Sequence, residues 1–169
     1  WWLWEGGIRV PMIVRGPGIR SDSRCYVNVV GYDFLPTFVD LAGGSIAKLR
    51  DIDGASITPL LKGKENPILA KRYLHFHYPH HRNTAPHSVV LQGDLKYFRF
   101  YEQPGSHYLY NLKYAIGETE NIAAQNKATV ARLSKEMDRH HTAVKACLPK
   151  PNPDAPADYQ PYDPDKGWE

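Results

Sequence analysis

The chain has 169 residues, 21 Lys and Arg against 18 Asp and Glu for a net charge of +3 with histidines neutral, and 42% hydrophobic residues. That length builds one domain with a real core, and no uncharged apolar run reaches the roughly 18 residues of a membrane helix, so a membrane span and wholesale disorder are excluded. A surplus this small, with no basic stripe interleaved with aromatics, gives no sign of a nucleic-acid partner.

Trp1, Trp2, Leu3 and Trp4 run into Glu5 without a start methionine, charged leader or cleavage pattern, which reads as an internal start. Val10, Pro11, Met12, Ile13 and Val14 lie between Gly6-Gly7 and Gly16-Pro17-Gly18, the pattern of a short buried strand, and residues 27–30 suggest a second. Over residues 33–42, Phe34, Leu35, Phe38, Val39, Leu41 and Ala42 fall at helical spacing, with Asp33 as cap, Pro36 near the first turn and Gly43 as stop. Asp53-Gly54 is a turn, and Thr58-Pro59-Leu60-Leu61-Lys62-Gly63 reads as a cap, a first-turn proline and one helical turn.

From Arg72 to Asn111 aromatic and β-branched residues come in short runs separated by Gly, Pro and Asp, which predicts a small antiparallel sheet. Strands are expected over 73–77, 88–92, 95–101 and 107–112, with a hairpin at Gly93-Asp94. Both faces of the third strand carry aromatics, so one must be covered. Val130, Leu133, Met137, His140 or His141, and Val144 form the apolar stripe of a helix over about 125–146 that would pack across it. Lys96 and Arg99 are expected in solvent, with substrate contact as the second reading. Beyond Leu148 the chain turns proline-rich and acidic, as a disordered tail or an extended arm on a partner surface. Cys25 and Cys147 form one disulfide or none.

Chemistry concentrates in His75-Phe76-His77-Tyr78-Pro79-His80-His81-Arg82, followed by His87. In a metal site, His75 and His77 would share one side of a strand with His80 or His81 as third ligand, yet no nearby Cys, Asp or Glu completes a set. A surface loop with incidental histidines is the plainer alternative. The reading preferred here is a loop lining an anion or sugar pocket, with His77, His80 and Arg82 as donors. No Gly-x-Ser-x-Gly elbow, phosphate loop or spaced carboxylate pair supports catalysis by these residues alone. Pattern and spacing end at an α+β fold with a histidine-rich loop.

Trp4-Glu5-Gly6-Gly7-Ile8-Arg9-Val10-Pro11 with its apolar continuation and Gly16-Pro17-Gly18, then the block 32–43, then the block 53–63, resemble in order the signature segments of the sulfatases. Phe76-His77-Tyr78-Pro79-His80, the hairpin around Gly93-Asp94, and Leu109-Tyr110-Asn111-Leu112 followed by 117–121 resemble an arylsulfatase-like carboxyl-terminal region. The resemblance implies an α/β enzyme of the alkaline-phosphatase-like superfamily that hydrolyses sulfate esters with a formylglycine and a calcium ion. It implies that residues 1–70 end the main domain, that 71–147 form a four-stranded antiparallel sheet packed on a long helix, and that 148–169 are an extended tail. Formylglycine and the calcium ligands would lie upstream; Cys147-Leu148-Pro149 lacks the small residue and arginine of the modified motif. The family further implies a sulfated small molecule or carbohydrate as ligand, contacted by His77, His80, His81 and Arg82, the rest of the sulfatase as partner, and a periplasmic or secreted address. A noncatalytic module and a phosphoesterase of the same superfamily are the alternatives. Glu5 and Arg9 are expected to be structural, and the chain by itself is expected to expose apolar surface, associate and hydrolyse nothing.

Overall fold

A computed structural model describes residues 2–81, 84–162 and 164. In chain order the elements are helix α1 (Glu5–Ile8), a 3₁₀ turn (Gly31–Asp33), α2 (Phe34–Leu41), a second 3₁₀ turn (Ile46–Lys48), α3 (Thr58–Leu61), α4 (Pro67–Lys71), strands β1 (Tyr73–Tyr78), β2 (His87–Gln92), β3 (Leu95–Phe100) and β4 (Tyr108–Asn111), and α5 (Lys127–Val144). They fall into two compact units, one of residues 1–9 with 73–169 and one of residues 10–72.

The first unit is α+β: a four-stranded antiparallel sheet in the order β1-β2-β3-β4, with α5 against it. The four expected strands are present to within a residue or two at their ends. Gly93 turns the β2–β3 hairpin at φ +56°, and Asp94 is not in the left-handed region. A turn with positive φ at its first central residue alone wants Gly in front, which accounts for the Gly-Asp order. Period-two alternation sends Val90, Tyr97 and Leu109 to one face, where Val130, Leu133 and Met137 of α5 cover them. Val89, Phe98, Phe100, Tyr108 and Tyr110 go to the other face.

Leu3 and Trp4 pack on that second face, the Trp4 ring lying 4.4 Å from Phe98 and 5.6 Å from Tyr110. The apolar surface expected to be exposed on the chain by itself therefore does not include Leu3 and Trp4: the strand aromatics give them a surface to bury. Gly7 is required here, since a Cβ on it would run into the Trp2 carbonyl.

The ion cluster beneath α1 corrects the expectation that Lys96 is solvated. Lys96 is fully buried on β3, its Nζ 2.8 Å from Glu5 Oε1 and 2.7 Å from Glu118 Oε1. Glu5 Oε2 also meets the Arg9 guanidinium at 3.2 Å, and the Glu5 N–H donates to Glu118 Oε2 at 2.7 Å. The Lys96 ammonium is the ion-pair partner of Glu118 Oε1. Two cations against two carboxylates make the cluster neutral, which is what allows it inside. Burial raises the Glu118 carboxyl above its ordinary range, with Lys96 pulling back. Arg99 is also not simply solvated: it reaches α5, bonding Asp138 Oδ1 at 2.5 Å and Ser134 Oγ at 2.6 Å.

In the second unit Asp33 is the hub, fully buried and bridged at both oxygens by Arg72 at 2.6 and 2.5 Å. Its carboxylate also accepts from the N–H groups of Val30 and Ala55, so it does not cap α2 as expected; the capping direction is reversed toward the preceding turn. Thr58 is likewise no cap. It is the first residue of α3, and the Ser56 hydroxyl accepts from its N–H at 3.1 Å. Gly54 passes against the Tyr32 carbonyl where no Cβ fits. The strands expected over 10–14 and 27–30 are absent, because no strand within this unit offers them a ladder. Val10 and Ile13 stand 78% and 93% exposed, and Leu35, Phe38 and Leu41 leave an apolar side of α2 in solvent. Cys25 and Cys147 are exposed free thiols.

Candidate substrate-facing site

The histidine-rich sequence is split by strand geometry. His75 and His77 sit on β1, two residues apart and so on one face, and that face packs against the carboxyl-terminal half of α5. The His75 ring stacks on His140 at 3.8 Å and 3°, with its Nε2 3.3 Å from Glu136 Oε1. Burial, then the neighbouring His140, lowers its pKa to about 4, against the pull of Glu136. His141 is buried beside His77, with ring centres 4.9 Å apart, and burial, then His77, Arg99 and His140, also brings it to about 4. His87 on β2 is fully buried, its Nδ1 donating to the Ala85 carbonyl at 2.8 Å while Nε2 has no hydrogen-bond partner among the described residues. Burial brings this group to about 4 as well, outweighing the hydrogen bond to Ala85. These rings are packing groups in their neutral form.

His77, one of the four expected contact residues, is engaged at both nitrogens. The Cys147 carbonyl, 2.9 Å from Nε2, can only accept, so Nε2 carries hydrogen; Nδ1 lies 2.6 Å from Ser88 Oγ, which in turn meets Tyr101 Oη at 2.7 Å. His77 thus ties the sheet to the start of the tail. His80 is exposed, its ring edge-on to Tyr78 at 5.5 Å. His81 Nε2 lies 2.9 Å from the hydroxyl of Tyr159 and 3.8 Å from Glu102 Oε1. Arg82 lies outside the described residues. The structure therefore brings His81 together with Glu102 and Tyr159, and His77 together with Ser88, Tyr101 and His141. Of the expected residues that are described, His77, His80 and His81 each meet different partners. Glu102 and Tyr159 were missed because they are 57 residues apart in sequence and meet only when the tail turns back.

Neither calcium nor formylglycine fits the residues present. Among the described residues no group of three or more His, Cys, Asp or Glu side chains is placed to hold a metal ion. Cys147 stands before Leu148 and Pro149 with no arginine nearby in the tail that follows.

The N-sulphoglucosamine sulphohydrolase carboxyl-terminal family matches residues 1–145. A sulfatase of Formosa agariphila is 32% identical over 133 residues, covering 73% of this chain and 24% of that protein. An N-acetylglucosamine-6-O-sulfatase of Bacteroides thetaiotaomicron is 31% identical over 140 residues, covering 80% and 24%. The solved structure of BT4656 in complex with its substrate D-glucosamine-2-N,6-O-disulfate superposes with a TM-score of 0.50 at 28% identity, over 67% of this chain and 24% of that one. The chain spans about a quarter of the length of these relatives. It belongs to the family of sulfatase carboxyl-terminal regions typified by N-sulphoglucosamine sulphohydrolase.

Proposed function

We propose that the protein carrying this chain hydrolyses sulfate esters of a carbohydrate or small molecule, and that the sheet-and-helix unit shapes the approach of substrate to a catalytic centre supplied by residues outside this chain. The observation that carries the reading is the family match over residues 1–145 together with the Glu5-Gly6-Gly7 segment, which Lys96 and Glu118 fix to the sheet. A charge-neutral buried cluster holds that segment in one place, as a wall of an active site must be held.

Two of these relatives, the N-acetylglucosamine-6-O-sulfatase and the protein solved with D-glucosamine-2-N,6-O-disulfate, act on sulfated glucosamine by their names, which supports a sulfated amino sugar as substrate class. His80, His81 and Arg82 are the proposed donors to sulfate or sugar oxygens; His77 supports them from behind, since both its nitrogens are engaged. Calcium and a formylglycine belong to the proposal, held by residues beyond this chain. The apolar side of α2 and the exposed residues 10–14 are consistent with cover by further chain. A periplasmic or secreted address is part of the same proposal; no helix among the described residues is long and apolar enough to cross a membrane.

Peptide mass spectrometry of the protein produced from its own gene tests the centre. The expected result is a formylglycine in place of one Cys or Ser outside these residues, with activity lost on chelating calcium and restored by adding it back. An unmodified protein indifferent to chelation would overturn the proposal.

A further inference from the structure

The tail after α5 lies beyond the family match at residue 145, and its described residues fold back on the sheet unit with neither helix nor strand among them. Contacts at Cys147, Tyr159 and Tyr162 hold it. His77 Nε2 donates to the Cys147 carbonyl at 2.9 Å. Gln103 Nε2 donates to the Tyr162 carbonyl at 2.5 Å, and the Tyr162 ring packs 5.8 Å from Phe100. Between these points the Tyr159 hydroxyl donates to Glu102 Oε2 at 2.6 Å. Its only hydrogen is thereby used, so the 2.9 Å contact to His81 Nε2 must be a bond that His81 donates and Tyr159 accepts.

A single hydroxyl is therefore held between a carboxylate that accepts and an imidazole that donates. Every ring hydroxyl of a sugar is both donor and acceptor, and a carboxylate makes the stronger, charge-assisted member of such a pair. Tyr159 keeps its proton: burial first, then Glu102, pushes the phenol up to about 12. The position sits at the surface, with Tyr159 39% exposed and the His81 side chain 55% exposed, so the tail can leave it without opening the core.

We propose that Glu102 and His81 form a saccharide-hydroxyl subsite which Tyr159 of the tail plugs with its own hydroxyl, so that a sugar and the tail compete for it. The choice of a sugar rests on the carbohydrate-sulfatase reading above; the plug itself rests on the two hydrogen bonds. Tyr159→Phe in the full protein keeps the ring and deletes the hydroxyl. Hydrogen exchange of residues 148–162 should then rise about three- to ten-fold, the factor one or two such bonds are worth. The affinity for N-acetylglucosamine 6-sulfate, read by calorimetry, should rise by about the same factor. Gln103→Ala, which loosens the tail at Tyr162 without touching the subsite, should act in the same direction. Glu102→Ala should free the tail yet bind the sugar no more tightly than the unaltered protein. Unchanged tail exchange in Tyr159→Phe overturns the plug, and a freed tail with unchanged affinity overturns the subsite. Neither readout needs sulfate release, so an inactive protein would refute the sulfatase reading separately.

Discussion

Replacing Lys96 by Met leaves the stem length nearly unchanged and removes the charge between two buried carboxylates. In the unaltered chain Nζ stands 2.8 Å from Glu5 Oε1 and 2.7 Å from Glu118 Oε1, with no exposed surface of its own. Breaking a buried pair by deleting one partner costs about 3–5 kcal/mol, because the survivor is left charged in a poor solvent. Here two survivors also face each other, with the Arg9 guanidinium still beside Glu5. At about 1.4 kcal/mol per factor of ten, the amides of β3 should exchange with solvent two to four orders of magnitude faster. The pH dependence has a definite sign. The folded Glu118 carboxyl is already raised by burial, and losing Lys96 raises it further. A carboxyl raised on folding gives its stability below its unfolded pKa and loses it as pH rises through the folded value. The deficit of Lys96→Met should therefore shrink on acidification. Adding Glu5→Gln and Glu118→Gln should recover much of the loss at neutral pH. Hydrogen exchange followed by mass spectrometry on β3 and residues 2–9 measures all of this, and a change below tenfold in Lys96→Met would refute the reasoning.

Two further outcomes follow from the same electrostatics. Asp33→Ala orphans the Arg72 guanidinium and the N–H groups of Val30 and Ala55, so unit 10–72 should lose about 3–5 kcal/mol. Burial pushes the Asp33 carboxyl up, but the bonds from Arg72, Val30 and Ala55 hold it below its ordinary value. Its contribution is thus present above the unfolded pKa and fades as pH falls through the folded one, which urea titrations across pH will show. His75, His87 and His141 stay neutral in the fold down to about 4, whereas the unfolded chain protonates near 6.5. Above 6.5 these groups cost nothing, between 6.5 and about 4 each withdraws up to about 3 kcal/mol, and below 4 the loss levels off. Melting curves of the sheet unit over that range, compared with His75→Gln, measure one share of the slope; an identical slope in the variant would contradict it.

The sheet was readable because its strands alternate and are broken by Gly, Pro and Asp, and α5 because its apolar stripe keeps helical spacing for four turns. Residues 10–14 misled for the opposite reason. An apolar run records a demand for burial and does not say whether a ladder partner is at hand, and within unit 10–72 none is. Lys96 looked like solvent because lysine is seldom fully buried. Only the approach of Glu5 and Glu118, 91 residues before and 22 after along the chain, changes that, and no local pattern encodes it. The histidine run marked an unusual place, but strand alternation turned His75 and His77 toward α5, where His140 and His141 were waiting. Of the expected contact residues, His81 was brought instead to a carboxylate and a tail tyrosine that the sequence keeps far apart.

The most direct test of the central claim is sulfate release by the protein produced from its own gene, assayed with calcium on aryl sulfate, N-acetylglucosamine 6-sulfate and the matching phosphate esters. The account predicts sulfate released from the esters by that protein, little turnover of the phosphates, and none of either by the 169-residue chain alone. Preferential phosphate release, or no release from a correctly folded protein of full length, would contradict it.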